Sequence, residues 1–180
     1  TLGGYPIFVK PANAGSSVGI SKVKEEAELD AAVAKAAQED GKIVLEETIV
    51  GQEVECAVLG NEEPRASLVG EVGAAAEFYD YDDKYVNGVS KLYIPARIPE
   101  ETAEAIRKTA IQAYQVLECR GLCRIDFFVR ESDGAILLNE PNTLPGFTAI
   151  SMYPKLWEAT GLPYSELLHR LIRLAQAMDG

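Results

Sequence analysis

The sequence predicts an α+β fold, on three observations. Two strand-like segments near the start enclose one helical pattern, later strand-like segments follow one another in hairpin fashion, and the chain closes on an amphipathic helix. With 180 residues, 47% apolar and 25% charged, the chain can build one substantial core or two closely packed lobes.

Residues 5–12 (YPIFVKPA) and 42–49 (KIVLEETI) are rich in β-branched and aromatic residues and are bounded by glycine, so both read as strands. Between them a helix is expected from Lys24 to Asp40, with Leu29, Val33, Ala36 and Ala37 on one face and Gly41 as its stop. VECAVLG and PRASLVGEV then form an antiparallel pair around the turn residues at Asn61.

Residues 74–93 show no sustained period and mix aromatics, acids and glycine, which reads as a long loop of the kind that serves as a lid. Pro99 opens a helix to Glu118 with Ala103, Ile106, Ala110, Ala113 and Leu117 inward. RIDFFVR (124–130) and AILLNEPN (135–142) are strands about a turn at Ser132 to Gly134. Pro163 opens the closing helix, whose expected buried stripe is Leu167, Leu168, Leu171, Leu174 and Met178.

Composition excludes several function classes. The net charge of -11 opposes nucleic-acid binding, and the apolar runs are too short for a membrane-spanning helix. No signal-like segment is present. Cys56, Cys119 and Cys123 are odd in number, and CRGLC lacks a second ligand pair, so all three are expected to be small buried or half-buried residues. The single histidine, His169, lies in the closing helix beside the leucine stripe and is expected to be a boundary residue with no catalytic role. Because the chain begins on Thr1 and enters GGYPIFV directly, it reads as an excised portion of something longer.

The stretch VKPANAGSSVGI sets Lys10 before its glycines, whereas in a P-loop the lysine follows them. It is a phosphate loop of another kind or a hairpin turn.

Asp126 sits in one strand, and Glu140 and Asn142 share a face of the next. Two carboxylates and a carboxamide are hard oxygen ligands of the kind Mg2+ prefers. Like charges buried on apolar strands are also costly, and a cation would relieve that cost. The competing reading is an edge strand with its acids in water. Arg124 lies on the Asp126 face, where it either serves a carboxylate or developing oxyanion or is solvated at a strand end. Gly146, after a proline, brings a backbone N–H close to a ligand or makes a type II turn. Ser151 binds a carboxylate or caps a helix.

Five ordered motifs, VKPANAGSSVGISKV, LEETIVGQE, FYDYDDKY, GLCRIDFFV and LLNEPNTLPGFTAISMYPKLW, resemble the ATP-grasp portion of D-alanine:D-alanine ligases over essentially the whole chain. The resemblance implies an ATP-grasp fold of two lobes with ATP between them. It also implies residues 1–52 as part of the central lobe, 53–180 as the C-terminal lobe, and a missing N-terminal domain. The implied activity joins two D-alanines through a D-alanyl phosphate, for peptidoglycan synthesis. ATP, D-alanine and two Mg2+ (or Mn2+) are the implied partners, and a homodimer of the parent enzyme is compatible with it.

Residue by residue, the resemblance assigns Lys10 to the inner phosphates and Ser16 and Ser17 to the mobile loop above them. Glu46, Glu47 and Ile49 match positions beside the adenine, and Glu53 matches the carboxylate on the ribose. Lys84 matches the lysine on the transferred phosphoryl, and Tyr85 the lid tyrosine. Asp126, Glu140 and Asn142 match the ligands of two magnesium ions. Arg124 and the Gly146 backbone match the groups that stabilise the tetrahedral intermediate, and Ser151 matches the serine on the second substrate's carboxylate. Ala14 and the pair Glu47-Thr48 depart from residues common at those positions. Ligases that accept D-lactate or D-serine, and a binding fragment without turnover, are the alternative expectations. Tyr85 favours the dipeptide over the D-lactate product.

Overall fold

The computed structural model describes residues 2–15, 17–73, 91–148 and 150–177. They form two compact units, one running to Val50 and the other combining Gly51–Gly73 with the chain from Lys91 onward.

The first unit contains β1 (Ile7–Pro11), β2 (Ser21–Val23), a 3-10 turn (Glu26–Glu28), α1 (Leu29–Ala36) and β3 (Ile43–Glu47). β1 is central, with β2 and β3 antiparallel on either side. Its alternation sends Ile7 and Val9 to the face covered by α1, where Val23, Ala32 and Ala36 complete a small core. Phe8 and Lys10 therefore point to the opposite face.

The helix is shorter than the expected Lys24–Asp40. At its start the Glu28 carboxylate accepts the Lys24 backbone N–H at 2.7 Å and holds a 3-10 turn. At its end the Asp40 carboxylate accepts from the backbone N–H groups of Lys42 and Asn13 and from the Asn13 side chain. Ala37 is consequently exposed, and Ala32 takes the inward place. β2 escaped the sequence reading because three residues cannot display a period; its pairing with β1 creates it.

The second unit contains β4 (Gly51–Gly60), β5 (Arg65–Gly73), β6 (Lys91–Tyr93), α2 (Glu100–Val116), β7 (Gly121–Arg130), β8 (Ile136–Asn142), α3 (Met152–Ala159) and α4 (Tyr164–Gln176). Its sheet runs β6-β5-β4-β7-β8, antiparallel throughout. The expected hairpins at Asn61 and at Ser132–Gly134 both form.

Alternation divides this sheet cleanly. Val54, Cys56, Val58, Cys123, Ile125, Phe127 and Val129 pack on one face against Ile106, Ala110 and Tyr114 of α2. Ala57 and Leu59 turn to the other face, under Met152, Tyr153, Leu156 and Trp157 of α3 and Leu167 of α4. A Cβ at Gly70 would stand 2.8 Å from Leu156 Cδ2, so glycine there lets α3 close on β5. Tyr114 and Tyr153 donate their hydroxyls to the carbonyls of Gly60 and Val58, which fixes one end of β4 from both faces.

Tyr114 does the burying that the sequence reading gave to Leu117, which is exposed at the end of α2. Residues 91–93 of the expected long loop form the edge strand β6, and 74–90 lie outside the described residues. In α4 only Leu167 is fully buried; Leu171 and Leu174 are partly buried, Leu168 is exposed, and Met178 lies outside the described residues. Cys56 and Cys123 are buried and Cys119 is half-buried, all three as free thiols, in agreement with expectation. Among the described residues no helix is long and apolar enough to cross a membrane.

Candidate functional site

On the α3 side of the five-stranded sheet, the apolar residues at one end give way to charge at the other. Glu55 of β4, Asp126 of β7 and Glu140 of β8 stand abreast in register, and one step along stand Ala57, Arg124 and Asn142. Directly opposed residues share a face, so the five polar side chains form one cluster.

A bulge makes this possible. Asp126 faces Glu140 while Phe127 faces Leu138, which leaves Asn139 as the extra residue of β8. Counting by twos from Leu137, which pairs with Phe128, would have put Glu140 on the wrong face; the bulge restores it.

Arg124 grips Asp126 with two bonds, Nε to Oδ1 and Nη2 to Oδ2, both 2.7 Å. Its Nε also lies 3.0 Å from Glu55 Oε2. Asn142 Nδ2 donates to Asp126 Oδ2 at 3.0 Å. Asp126 and Glu55 are buried, at 3% and 6% exposure, whereas Glu140 on the edge strand faces solvent. Burial works against the charge of Arg124, but its bonds to Asp126 and the fields of Asp126, Glu55 and Glu140 outweigh that and raise its pKa.

Two expectations change here. The solvated strand-end reading of Arg124 is overturned, since its guanidinium is held by two buried carboxylates. The electrostatic case for a metal also weakens, because Arg124 already neutralises part of the buried charge. Among the described residues one guanidinium faces three carboxylates, an excess of acidic groups. That excess, with oxygen donors on Asp126, Glu140 and Asn142, fits a hard divalent cation. Among the described residues no group of three His, Cys, Asp or Glu side chains is placed to hold a metal ion, so the fit rests on Asp126 and Glu140 with the amide of Asn142. Asn142 presents its NH2 group to Asp126, and ligation requires the amide to turn its oxygen inward.

Glu55 is the site residue the sequence reading missed. The signal was present: an acid amid Val54, Cys56, Ala57 and Val58, the same interruption of an apolar run that marked Asp126. Glu53 lies two residues earlier on the same strand face, opposite Phe128 and Val72.

Gly146 and Ser151 adjoin each other. A Cβ on Gly146 would meet Ser151 Oγ at 2.8 Å, and the Gly146 backbone is not left-handed, which removes the type II turn as its reason. Ser151 occupies the N-cap position of α3, yet its hydroxyl makes no cap bond. It accepts the Thr148 backbone N–H at 3.0 Å and bonds the Thr148 hydroxyl at 2.9 Å, which holds it toward the 143–148 loop.

In the first unit, Lys10 and Glu46 share the face that α1 leaves open and form an ion pair of 2.8 Å. Glu47 is the next residue along β3, so its side chain points to the other face, and Ile49 lies in the segment after β3. The glycine loop is pinned at its base, where Asn13 binds Asp40 and the Ala12 backbone N–H donates to Lys42 O. Its tip turns through Ser17 and Gly19, both at positive φ (62° and 73°). A non-glycine residue held there stores strain, which is frequent in loops that close on ligands. Ser16, Lys84 and Tyr85 lie outside the described residues.

Nucleophilic catalysis by sulfur has no support. Burial pushes the thiols of Cys56 and Cys123 up to about 12. His169 is largely exposed on α4 near Glu166, remote in sequence from every residue of the cluster.

The family described as D-ala D-ala ligase C-terminus matches residues 1–173. Among curated relatives, the D-alanine--D-alanine ligase of Acetivibrio thermocellus is 56% identical over 171 residues, covering 95% of this chain and 46% of its own length. That of Geobacillus kaustophilus is also 56% identical, over 96% of this chain and 47% of its own. Among solved structures, the VanG D-Ala:D-Ser ligase from Enterococcus faecalis superposes with a TM-score of 0.85 at 46% identity, covering 95% of this chain and 50% of that one. The D-alanine-D-alanine ligase from Coxiella burnetii gives a TM-score of 0.83 at 41% identity, over 95% of this chain and 45% of that one.

Two antiparallel sheets, each packed with helices, are thus the α+β ATP-grasp fold of these ligases. The chain belongs to the D-alanine:D-alanine ligase family and matches its C-terminal portion. It spans about half the length of the relatives it matches.

Proposed function

We propose that this chain is the nucleotide- and metal-binding half of an ATP-dependent ligase that joins two D-alanines through a D-alanyl phosphate. The observation that carries the reading is the polar cluster of Arg124, Asp126, Glu140 and Asn142, built by one strand pair and rich in acids among the described residues.

Asp126, Glu140 and Asn142 would hold Mg2+, which, when bound, neutralises charge on the phosphates and on the developing leaving group. Lys10 and Glu46 lie side by side, and a phosphate reaching Lys10 competes with Glu46 for its ammonium. Glu53 suits the ribose hydroxyls, and the residues about Glu46, Glu47 and Ile49 suit the adenine. Ser16, Ser17, Lys84 and Tyr85 suit the transferred phosphoryl group, because an acyl phosphate hydrolyses unless water is kept from it. Arg124 supplies positive charge for the tetrahedral oxyanion, together with the backbone N–H of Gly146. Ser151, already turned toward the Gly146 loop, meets the carboxylate of the second amino acid. The setting is the cytoplasmic supply of peptidoglycan precursors.

The likeness to a D-Ala:D-Ser ligase keeps D-serine as an alternative second substrate. The full-length protein containing this sequence is expected to release phosphate from ATP only when D-alanine is present. Equal stimulation by L-alanine, or none by any amino acid, sinks the ligase reading. Adding D-serine beside limiting D-alanine, with the products separated by mass, decides the second substrate.

A further inference from the structure

We infer that Glu55 is a positioning residue: it holds the Arg124 guanidinium in place when Asp126 turns its oxygens to a divalent cation. The inference rests on the cation-site reading above.

Glu55 is only 6% exposed, in a strand whose neighbours Val54, Cys56, Ala57 and Val58 are all buried. Burying a carboxylate is costly without a cationic partner, and here that partner is Arg124, 3.0 Å away. Glu55 stands on the far side of Asp126 from Glu140, in the same row across the sheet. The guanidinium therefore has two carboxylates within reach, Asp126 along its own strand and Glu55 across the ladder.

A cation drawn to Asp126 competes for the oxygens that Arg124 and Asn142 occupy, and its charge repels the guanidinium. With Glu55 present, Arg124 keeps an anionic partner and stays at the site where an oxyanion will form. Without it, Asp126 is the carboxylate that remains bonded to Arg124 among the described residues, and the guanidinium either blocks the cation or leaves. Glu55 acts in this inference through Arg124, which lies 3.0 Å from its carboxylate, and not as a metal ligand.

The test is a double-mutant cycle on the full-length protein, read by the Mn2+ dissociation constant from the electron paramagnetic resonance of free Mn2+, with no turnover required. Glu55→Gln keeps the shape and removes the charge. In the wild-type background it is expected to weaken Mn2+ binding about tenfold, the range seen when groups that orient metal ligands are removed. In an Arg124→Gln background the same change is expected to cost no more than about twofold, because only distant charge remains to be lost. As a second readout, kcat falls about tenfold in Glu55→Gln with KM for ATP nearly unchanged.

An equal factor in both backgrounds means that Glu55 does not act through Arg124 and overturns the inference, as does no change in either. A Glu55→Gln protein that loses its fold makes the residue structural and overturns it too. Failure of the ligase reading shows separately, as wild-type protein that binds Mn2+ but does not turn over with D-alanine.

Discussion

Arg97 and Arg124 serve opposite faces of the same sheet, and each grips a buried carboxylate with two bonds. Arg97 Nε and Nη2 bind Glu71 at 3.0 and 2.6 Å, the Arg97 backbone N–H adds a third bond at 3.0 Å, and the guanidinium lies 3.6 Å over the Tyr93 ring. Glu71 faces with Val54 toward α2, so this clamp ties the segment after β6 to β5. There one cation meets one anion, and the account closes. At Arg124, among the described residues, one cation meets three carboxylates, and acids are in excess. The same pair of functional groups stabilises the fold in one case and invites a ligand in the other. Stoichiometry, not chemistry, separates them.

The contrast breaks most sharply at Asp126. In the full-length protein Asp126→Asn and Glu140→Gln are each expected to lower D-alanine-dependent phosphate release by about a thousandfold or more, while Tm moves by only a few degrees. Retained turnover in either variant removes the metal assignment. Gly146→Ala sets a methyl 2.8 Å from Ser151 Oγ and is expected to raise KM for the second amino acid about tenfold with ATP binding unchanged. Equal losses for both substrates would argue for general damage instead.

Arg97→Ala tests the closed clamp. It strands a buried carboxylate, so Tm is expected to drop by about 5 °C, with kcat within about twofold of wild type. A large kcat loss at unchanged Tm would erase the distinction between the two arginines.

A smaller effect appears with pH. Bonding to Arg97, more than any other cause, holds the Glu71 pKa below its ordinary value of 4.5. A carboxylate depressed in the folded state stabilises above its unfolded pKa, and the contribution is lost as pH falls through the folded pKa. Wild-type Tm should therefore decline below about pH 4.5, and Arg97→Ala should flatten that part of the decline. Differential scanning fluorimetry from pH 3 to 6 on both proteins measures it, and parallel curves would exclude Arg97 as the cause. Least of all, Asp133→Asn should leave Tm unchanged. The Arg130 pair holds the Asp133 pKa down to about 2, but the carboxylate sits in water at the β7–β8 turn.

Much of the site was legible before the fold was known. Asp126, Glu140 and Asn142 lie on adjacent strands of one hairpin, and alternation puts Glu140 and Asn142 on one face; that this is also the Asp126 face was decided by the bulge at Asn139, which plain alternation does not foretell. The helices were legible for the same reason, although their inward residues slipped where an end frayed, as at Ala37, or where an aromatic outcompeted an aliphatic, as Tyr114 did Leu117. The edge strands β2 and β6 were invisible, since three residues carry no pattern of their own.

By itself, then, the sequence determined which kinds of element form and which oxygen-bearing side chains share one strand face, because those depend on neighbours a few residues apart. Only the tertiary structure decided that β4 lies beside β7. That pairing joins segments far apart in the chain and is selected by the apolar faces they bury in common. It put Glu55 next to Arg124 and turned an arginine of undecided role into a bridge between two buried acids.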